Sequence, residues 1–307
     1  MAGSEFSKET FCLMWHCYSP GISKQQVRVN FQSKFNRKSH AEHDVKIEEL
    51  WRGKLSGDVT LYNGMKFRLA GMSEDAEKAP SIELDIGLTC YRDFQCTNYS
   101  SESERLRSDG LRDFNESQAY MSDPLGVSAI LITSDDKVVV EKRSTKVGEY
   151  CNMLDLPGGH AEPSNVPGWK QEYEGNVQCQ DAFLSLKSSD IVNEIFDSIV
   201  QEVVAELNIP RDQLSEPHLV GILRQMLSFG RPSTLFVVKA VDIRENDVRR
   251  MYGEGGEEQF ESVDIEFVSL EDIQCGTWRS RSEQFTPSAH AAFYIIAQST
   301  KATATED

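Results

Sequence analysis

Residues 190–210 read DIVNEIFDSIVQEVVAELNIP, and the spacing of their apolar side chains predicts a helix. Ile191, Ile195, Ile199 and Val203 form one stripe, with Val192, Phe196, Val200 and Leu207 beside it. That band is wide enough to bury the helix against a sheet. Pro210 ends the helix, because proline has no N–H for the ladder. Along the margin runs a second row, Glu194, Ser198, Glu202 and Glu206, each four residues from the next and so on one edge. Like charges at that spacing weaken a helix slightly. A divalent cation between them turns the cost into a ligand set, since hard cations take carboxylate oxygens and commonly add substrate phosphates. The same row is also the ordinary wet face of a helix in an acidic protein. A second acidic element beside a backbone bend is needed to choose.

Residues 154–165, LDLPGGHAEPSN, supply both. A strand end runs into Pro157-Gly158-Gly159, then His160 and Glu162. Glycines let the chain turn tightly and bring its backbone close to a ligand or metal, so a carbonyl within 157–161 is a further hard ligand. Just upstream, VSAILIT and KVVVEKRS flank Ser-Asp-Asp and predict a hairpin. Residues 163–190 read as polar and irregular. After Pro210, LVGILRQ and STLFVVKAVDI read as strands, YGEGGEEQFE as an acidic loop, SVDIEFVSLEDI as a strand entering a short helix, and TPSAHAAFYIIAQ as a last helix.

Before Asp123-Pro124 the chain is strand-rich. FCLMW (11–15), QVRVNF (26–31) and SIELDIGLT (81–89) read as strands. Residues 41–54 and 101–114 read as helices, and Asn63-Gly64 as a hairpin turn. The boundary falls near residue 123, and the part beyond it has α/β character.

The chain has 307 residues, 39% of them hydrophobic, and a net charge of -17. A surface of that sign repels polyanions, and no basic run exceeds two residues, so nucleic acid is not an expected partner. A few local cations still suffice for a small phosphorylated ligand. Seven cysteines, an odd number with no CxxC pair, argue for reduced thiols. No apolar run approaches 18 residues, so no membrane partner is expected. The cytoplasm is the expected location, with the nucleus second.

From 127 to about 209 the chain resembles the Nudix hydrolases, which cleave nucleoside diphosphates linked to another moiety. Their box ends Arg-Glu-apolar-x-Glu-Glu-x-Gly-apolar; here that part reads Gln201-Glu202-Val203-Val204-Ala205-Glu206-Leu207-Asn208-Ile209. Glu202 and Glu206 match the two glutamates that hold the cation. Gln201 replaces the Arg, Ala205 the first Glu of the pair, and Asn208 the Gly. The middle glutamate falls at Asn193, one position from Glu194, and about 28 residues part Glu162 from the helix. Blocks at 87–100, 118–129, 154–163 and 201–210 resemble an atypical branch of the family that splits UDP-glucose and UDP-galactose. That likeness runs from about residue 47 to the last helix.

The resemblance implies a Nudix α/β/α sandwich over 124–307. An N-terminal α+β region, strand-rich and spanning 1–123, packs beside it and contributes to nucleotide binding. It implies a nucleotide sugar as small-molecule partner, UMP and hexose 1-phosphate as products, and Mg²⁺ as cofactor with Mn²⁺ as substitute. A bound cation neutralises the departing phosphate and activates water. The implied metal ligands are Glu202, Glu206 and Ser288. The general base has no residue at Ala205, which leaves Glu162, Glu194 or metal-activated water. Arg143 is the expected phosphate fork, with Gly148 in the loop after it. Asp155, His160 and Glu162 are expected to reach ribose or sugar, and Tyr91, with Tyr62 as second choice, to stack on the base. Two further readings stand beside this one: another nucleoside diphosphate substrate such as ADP-ribose, and a silent nucleotide-binding protein.

Overall fold

The computed structural model describes residues 10–17, 20–56, 61–74, 81–145, 149–256 and 261–303. In chain order the strands are β1 (Phe11–His16), β2 (Val27–Phe31), β3 (Met65–Glu74), β4 (Ile82–Cys90), β5 (Gly126–Ile132), β6 (Lys137–Arg143), β7 (Leu154–Asp155), β8 (Gly158–His160), β9 (His218–Gln225), β10 (Arg231–Lys239) and β11 (Ser262–Ser269). The helices are α1 (Ala41–Asp44), α2 (Ile47–Leu55), α3 (Tyr91–Thr97), α4 (Ser103–Phe114), α5 (Gln180–Ser185), α6 (Ser188–Leu207), α7 (Glu245–Glu254), α8 (Leu270–Cys275) and α9 (Pro287–Thr303).

The large sheet runs β1-β9-β10-β5-β6-β11, with β7 added to β6 and β8 to β5. Side chains alternate across a strand, and β5 uses that to serve two cores. Val127, Ala129 and Leu131 pack with the apolar stripe of α6; Ile130 packs on the other face with Ala289, Ala292 and Phe293 of α9. The architecture is an α/β/α sandwich. A second sheet, β2-β4-β3, lies beyond α6. Its Val27, Val29, Phe67, Leu84 and Ile86 share one core with Ile191, Ile195, Ile199 and Val203. The first 123 residues enter both sheets, because β1 pairs with β9 while β2 to β4 form the smaller one.

Magnitudes explain why α6 tolerates its acidic row. Each fully buried aliphatic side chain contributes roughly 1.5–3 kcal/mol. A like-charge pair at i,i+4 costs roughly 0.2–0.5 kcal/mol. Packing wins. The helix starts at Ser188, two residues before the expected Asp190, and ends at Asn208, which adopts the left-handed conformation with φ 57°. A glycine is the usual residue there; asparagine is the next best tolerated, so the Asn208 departure keeps the local geometry.

Four other expectations change. The helix read over 41–54 is two, since the His40 ring accepts from His43 N and caps a short first one. Asn63-Gly64 turns no hairpin. Asn63 Oδ1 accepts from Arg92 N and Gly64 O from Tyr91 N, which satisfies amides at the start of α3. The stretch 252–261 is not all loop, because α7 runs to Glu254. Nor is 163–190 merely irregular: Tyr173 is fully buried, Phe183 packs on Phe31 at 4.5 Å, and Asn36 Nδ2 donates to Val177 O at 2.6 Å. The insertion joins α6 to the small sheet.

Candidate active site

β5 and β6 pair only next to their turn, at Ile132 and Val138. Beyond it they part, and residues 154–160 enter the split. β7 pairs with β6 through Glu141–Asp155 and Lys142–Leu154; β8 pairs with β5 through Gly126–His160, Val127–Gly159 and Ser128–Gly158. The two glycines answer two different crowdings. A Cβ on Gly158 would strike the Val127 carbonyl, and one on Gly159 would strike the Glu202 carboxylate. Gly158 N also donates to Glu206 Oε2 at 2.9 Å. The two glycines lie in the extended strand β8 and not in the expected tight turn, and they form one unit with the two box glutamates.

The alternation of β6 adds a third acid. Val139 faces the α6 core, and Glu141 shares its parity. Glu141 is 4% exposed, and its Oε1 has no hydrogen-bond partner among the described residues. Burial pushes its pKa up; Arg143 opposes this, while Asp155, Glu261 and Glu202 add to it. Glu206 is pushed well up by burial and then by Glu141, Glu202 and Glu261. Glu141 and Glu206 thus each feel the negative charge of Glu202 and Glu261.

Next to this negative pole stands a positive one. Arg143 Nε donates to Glu149 O at 3.0 Å, and its Nη1 lies 3.7 Å from Asp155 Oδ2. Burial works against the Arg143 charge, yet Asp155 and Glu149 outweigh it and raise its pKa. Arg231, at the start of β10, places Nη1 3.2 Å from His160 Nε2. Lys66 of β3 pairs with Glu162. Burial and then Arg231, Lys66 and Arg143 hold the His160 pKa well below its usual value. A guanidinium can only donate, so His160 Nε2 is the acceptor of the Arg231 contact.

The expected site residues sort as follows. Glu202, Glu206, Arg143, Asp155 and His160 come together around the split. Asp155 is already tied to Arg143 and Thr286. Glu194 is buried and accepts from Glu162 N at 3.0 Å and Asn165 Nδ2 at 3.1 Å, so it anchors the loop. Glu162 faces Lys66, and Ser164 donates to its second oxygen. Tyr91 is half-buried, beside Phe94. Tyr62 is 77% exposed. Ser288 is buried and accepts from Gln225 Nε2 at 3.0 Å. Gly148 lies outside the described residues. Sequence reasoning passed over Glu141, Glu149, Glu261, Lys66 and Arg231. Only Glu141 carried a local signal, its parity with Val139.

Comparison with known proteins places this geometry. No protein-family model matches the chain. It is 36% identical over 286 residues to uridine diphosphate glucose pyrophosphatase NUDT22 of Homo sapiens, covering 92% of this chain and 91% of that protein. It is 35% identical over 274 residues to Nudix hydrolase 9 of Arabidopsis thaliana, covering 87% and 85%. The solved MutT protein of Methanosarcina mazei Go1 superposes at TM-score 0.35 with 15% identity over 58% of this chain and 94% of that one, too low to add weight. Identity of this extent along nearly the whole length, together with a glutamate pair closed onto the two glycines of β8, settles the family: the chain belongs to the Nudix hydrolases.

Proposed function

We propose that this protein hydrolyses UDP-glucose or UDP-galactose to UMP and hexose 1-phosphate, with a divalent cation as cofactor. The observation that carries the reading is that β8 brings acids and cations to one short segment: Gly158 N donates to Glu206 Oε2 and Gly159 lies against the Glu202 carboxylate, while Arg231 Nη1 reaches His160 and Lys66 pairs with Glu162. The relatives named for uridine diphosphate glucose supply the substrate.

Among the described residues no three His, Cys, Asp or Glu side chains stand at metal-holding spacing. The donor chemistry nevertheless fits a hard cation, because the group is all carboxylate and one buried oxygen, Glu141 Oε1, lacks a partner. Glu202 and Glu206 would hold Mg²⁺, or Mn²⁺ in its place, which supplies charge neutralisation and an acidified water. The chain's own groups do the rest. Gly158 N fixes the Glu206 carboxylate. Arg143 and Lys66 offset the diphosphate charge. Ala205 offers no base, Glu194 is spent on the Glu162 amide and Glu162 on Lys66; Glu141 Oε1 is our candidate to accept the proton of the attacking water. The region up to residue 123 contributes Lys66 and Tyr91 to the nucleotide side.

The reading is tested by following UMP release with Mg²⁺, using UDP-glucose beside ADP-ribose. UDP-glucose is expected to be preferred in kcat/KM by more than about 10-fold. Preference for ADP-ribose would replace the reading by another Nudix activity, and tight nucleotide binding without turnover by a silent one. A second prediction follows from the glycine contact. Gly159→Ala pushes the flexible Glu202 side chain aside, so kcat is expected to fall roughly 10–100-fold with less than about 1 kcal/mol of stability lost. Kinetics and urea unfolding on one preparation check both, and unchanged kcat would remove that contact from the chemistry.

A further inference from the structure

Arg231 and Glu149 form a buried pair, of which the catalytic reading uses only the Arg231 charge beside His160 and leaves the Glu149 side chain unassigned. Each residue is 9% exposed. Arg231 Nη1 reaches His160, and its Nη2 stands 3.3 Å from Glu149 Oε2. Among the described residues, Arg231 Nε donates to nothing and Glu149 Oε2 accepts no hydrogen bond. A donor without a hydrogen bond thus belongs to the same guanidinium whose Nη2 holds Glu149 Oε2 by charge alone, and a buried polar atom without a hydrogen bond costs free energy. The surroundings are flat and aromatic. The guanidinium lies 5.9 Å from the Phe94 ring, which packs against Tyr91 at 5.9 Å and Tyr99 at 5.4 Å. Tyr150, half-buried, follows Glu149 and bonds to Ser228 at 2.5 Å.

A phosphate is a poor occupant, because its charge would be set beside the Glu149 carboxylate and would leave that oxygen unmet. A sugar hydroxyl meets one group at a time. A nucleobase edge carries a donor and an acceptor side by side in one plane, and its faces suit an aromatic wall. We propose that Arg231 and Glu149 read the hydrogen-bonding edge of the substrate's base. On the proposed function this base is uracil, whose N3–H donates to Glu149 Oε2 while a ring carbonyl accepts from Arg231 Nε. His160 links this end of the site to the two glycines, so base and diphosphate lie along one line of contacts.

The test is a cycle between protein and ligand, read by calorimetric binding of UMP and N3-methyl-UMP to the intact chain. Wild type is expected to bind N3-methyl-UMP about 10- to 100-fold more weakly. In Glu149→Ala that ratio is expected to collapse towards one, because the methyl group no longer faces a carboxylate. Glu149→Gln keeps the shape, and its ratio is expected to fall by less. The same ratio in wild type and both variants, or no preference in wild type, would overturn the proposal. If UDP-glucose is not hydrolysed but the ratio depends on Glu149, base reading stands and the reaction fails. If UDP-glucose is hydrolysed and the ratio ignores Glu149, the reverse holds.

Discussion

Glu202→Gln is expected to lower kcat for UDP-glucose by more than about 100-fold, with circular dichroism and Tm close to wild type. Substitutions one shell removed from a metal cost roughly 10–100-fold, and Glu202 is itself a proposed ligand, so its loss should exceed that range. The side chain touches Gly159 and acts on both Glu141 and Glu206. Glutamine keeps its volume and removes its charge. Folding should not suffer, because one member of a repelling group has been neutralised. The loss should also appear as a weaker apparent Mg²⁺ dependence, since removing a carboxylate from a hard-cation set lowers affinity. Near-full activity would move the cation site away from the glutamate row.

Asp123→Ala is expected to destabilise the fold by about 3–5 kcal/mol, the cost of stripping a partner from a buried charge. Asp123 is fully buried at the junction between the two sheets, with φ 46°. Arg224 Nη1 donates to its Oδ2 at 3.0 Å and Asn98 Nδ2 to its Oδ1 at 2.9 Å. Burial raises its pKa even so, against Arg224 and Arg68, which pull it down. Arg68 is wholly buried as well; burial, countered in part by Asp123, brings its pKa to about 10. Alanine would leave both guanidinium charges without their carboxylate and would put a left-handed φ on a residue that resists it. Urea unfolding checks the value. A loss below about 1 kcal/mol would show that the carbonyls accepting from Arg68 and Arg224 suffice.

Particular residues show where local pattern stops. Glu194 stands in the acidic row of α6 and is one of the sequence's candidates for the general base. The row is real, but the inserted loop folds back so that Glu194 is used on the Glu162 amide. Period cannot tell a ligand from an anchor, because both need a buried carboxylate on that edge. Asn208 looked like damage to the box and is a tolerated end of the helix. Glu141 was legible as the partner of Val139 in KVVVEKR, yet which face of β6 meets α6 depends on strand order. Lys66 and Arg231 had no local signal, since they are distant in sequence from the Gly-Gly pair and reach it from different strands.

Sequence alone specifies a helix from Asp190 with its acidic edge, the hairpin of β5 and β6, and the need for two glycines before His160. Those features rest on periods of 3.6 and 2 and on steric rules that act within a few residues. Long-range pairing is what parts β5 and β6 and admits residues 154–160, so that Glu206 meets Gly158 and His160 meets Arg231. Those contacts also set which carboxylates feel one another and bring Arg231 to Glu149. The physical reason is that strand pairing across the chain and the cost of burying charge depend on neighbours brought together by the whole fold.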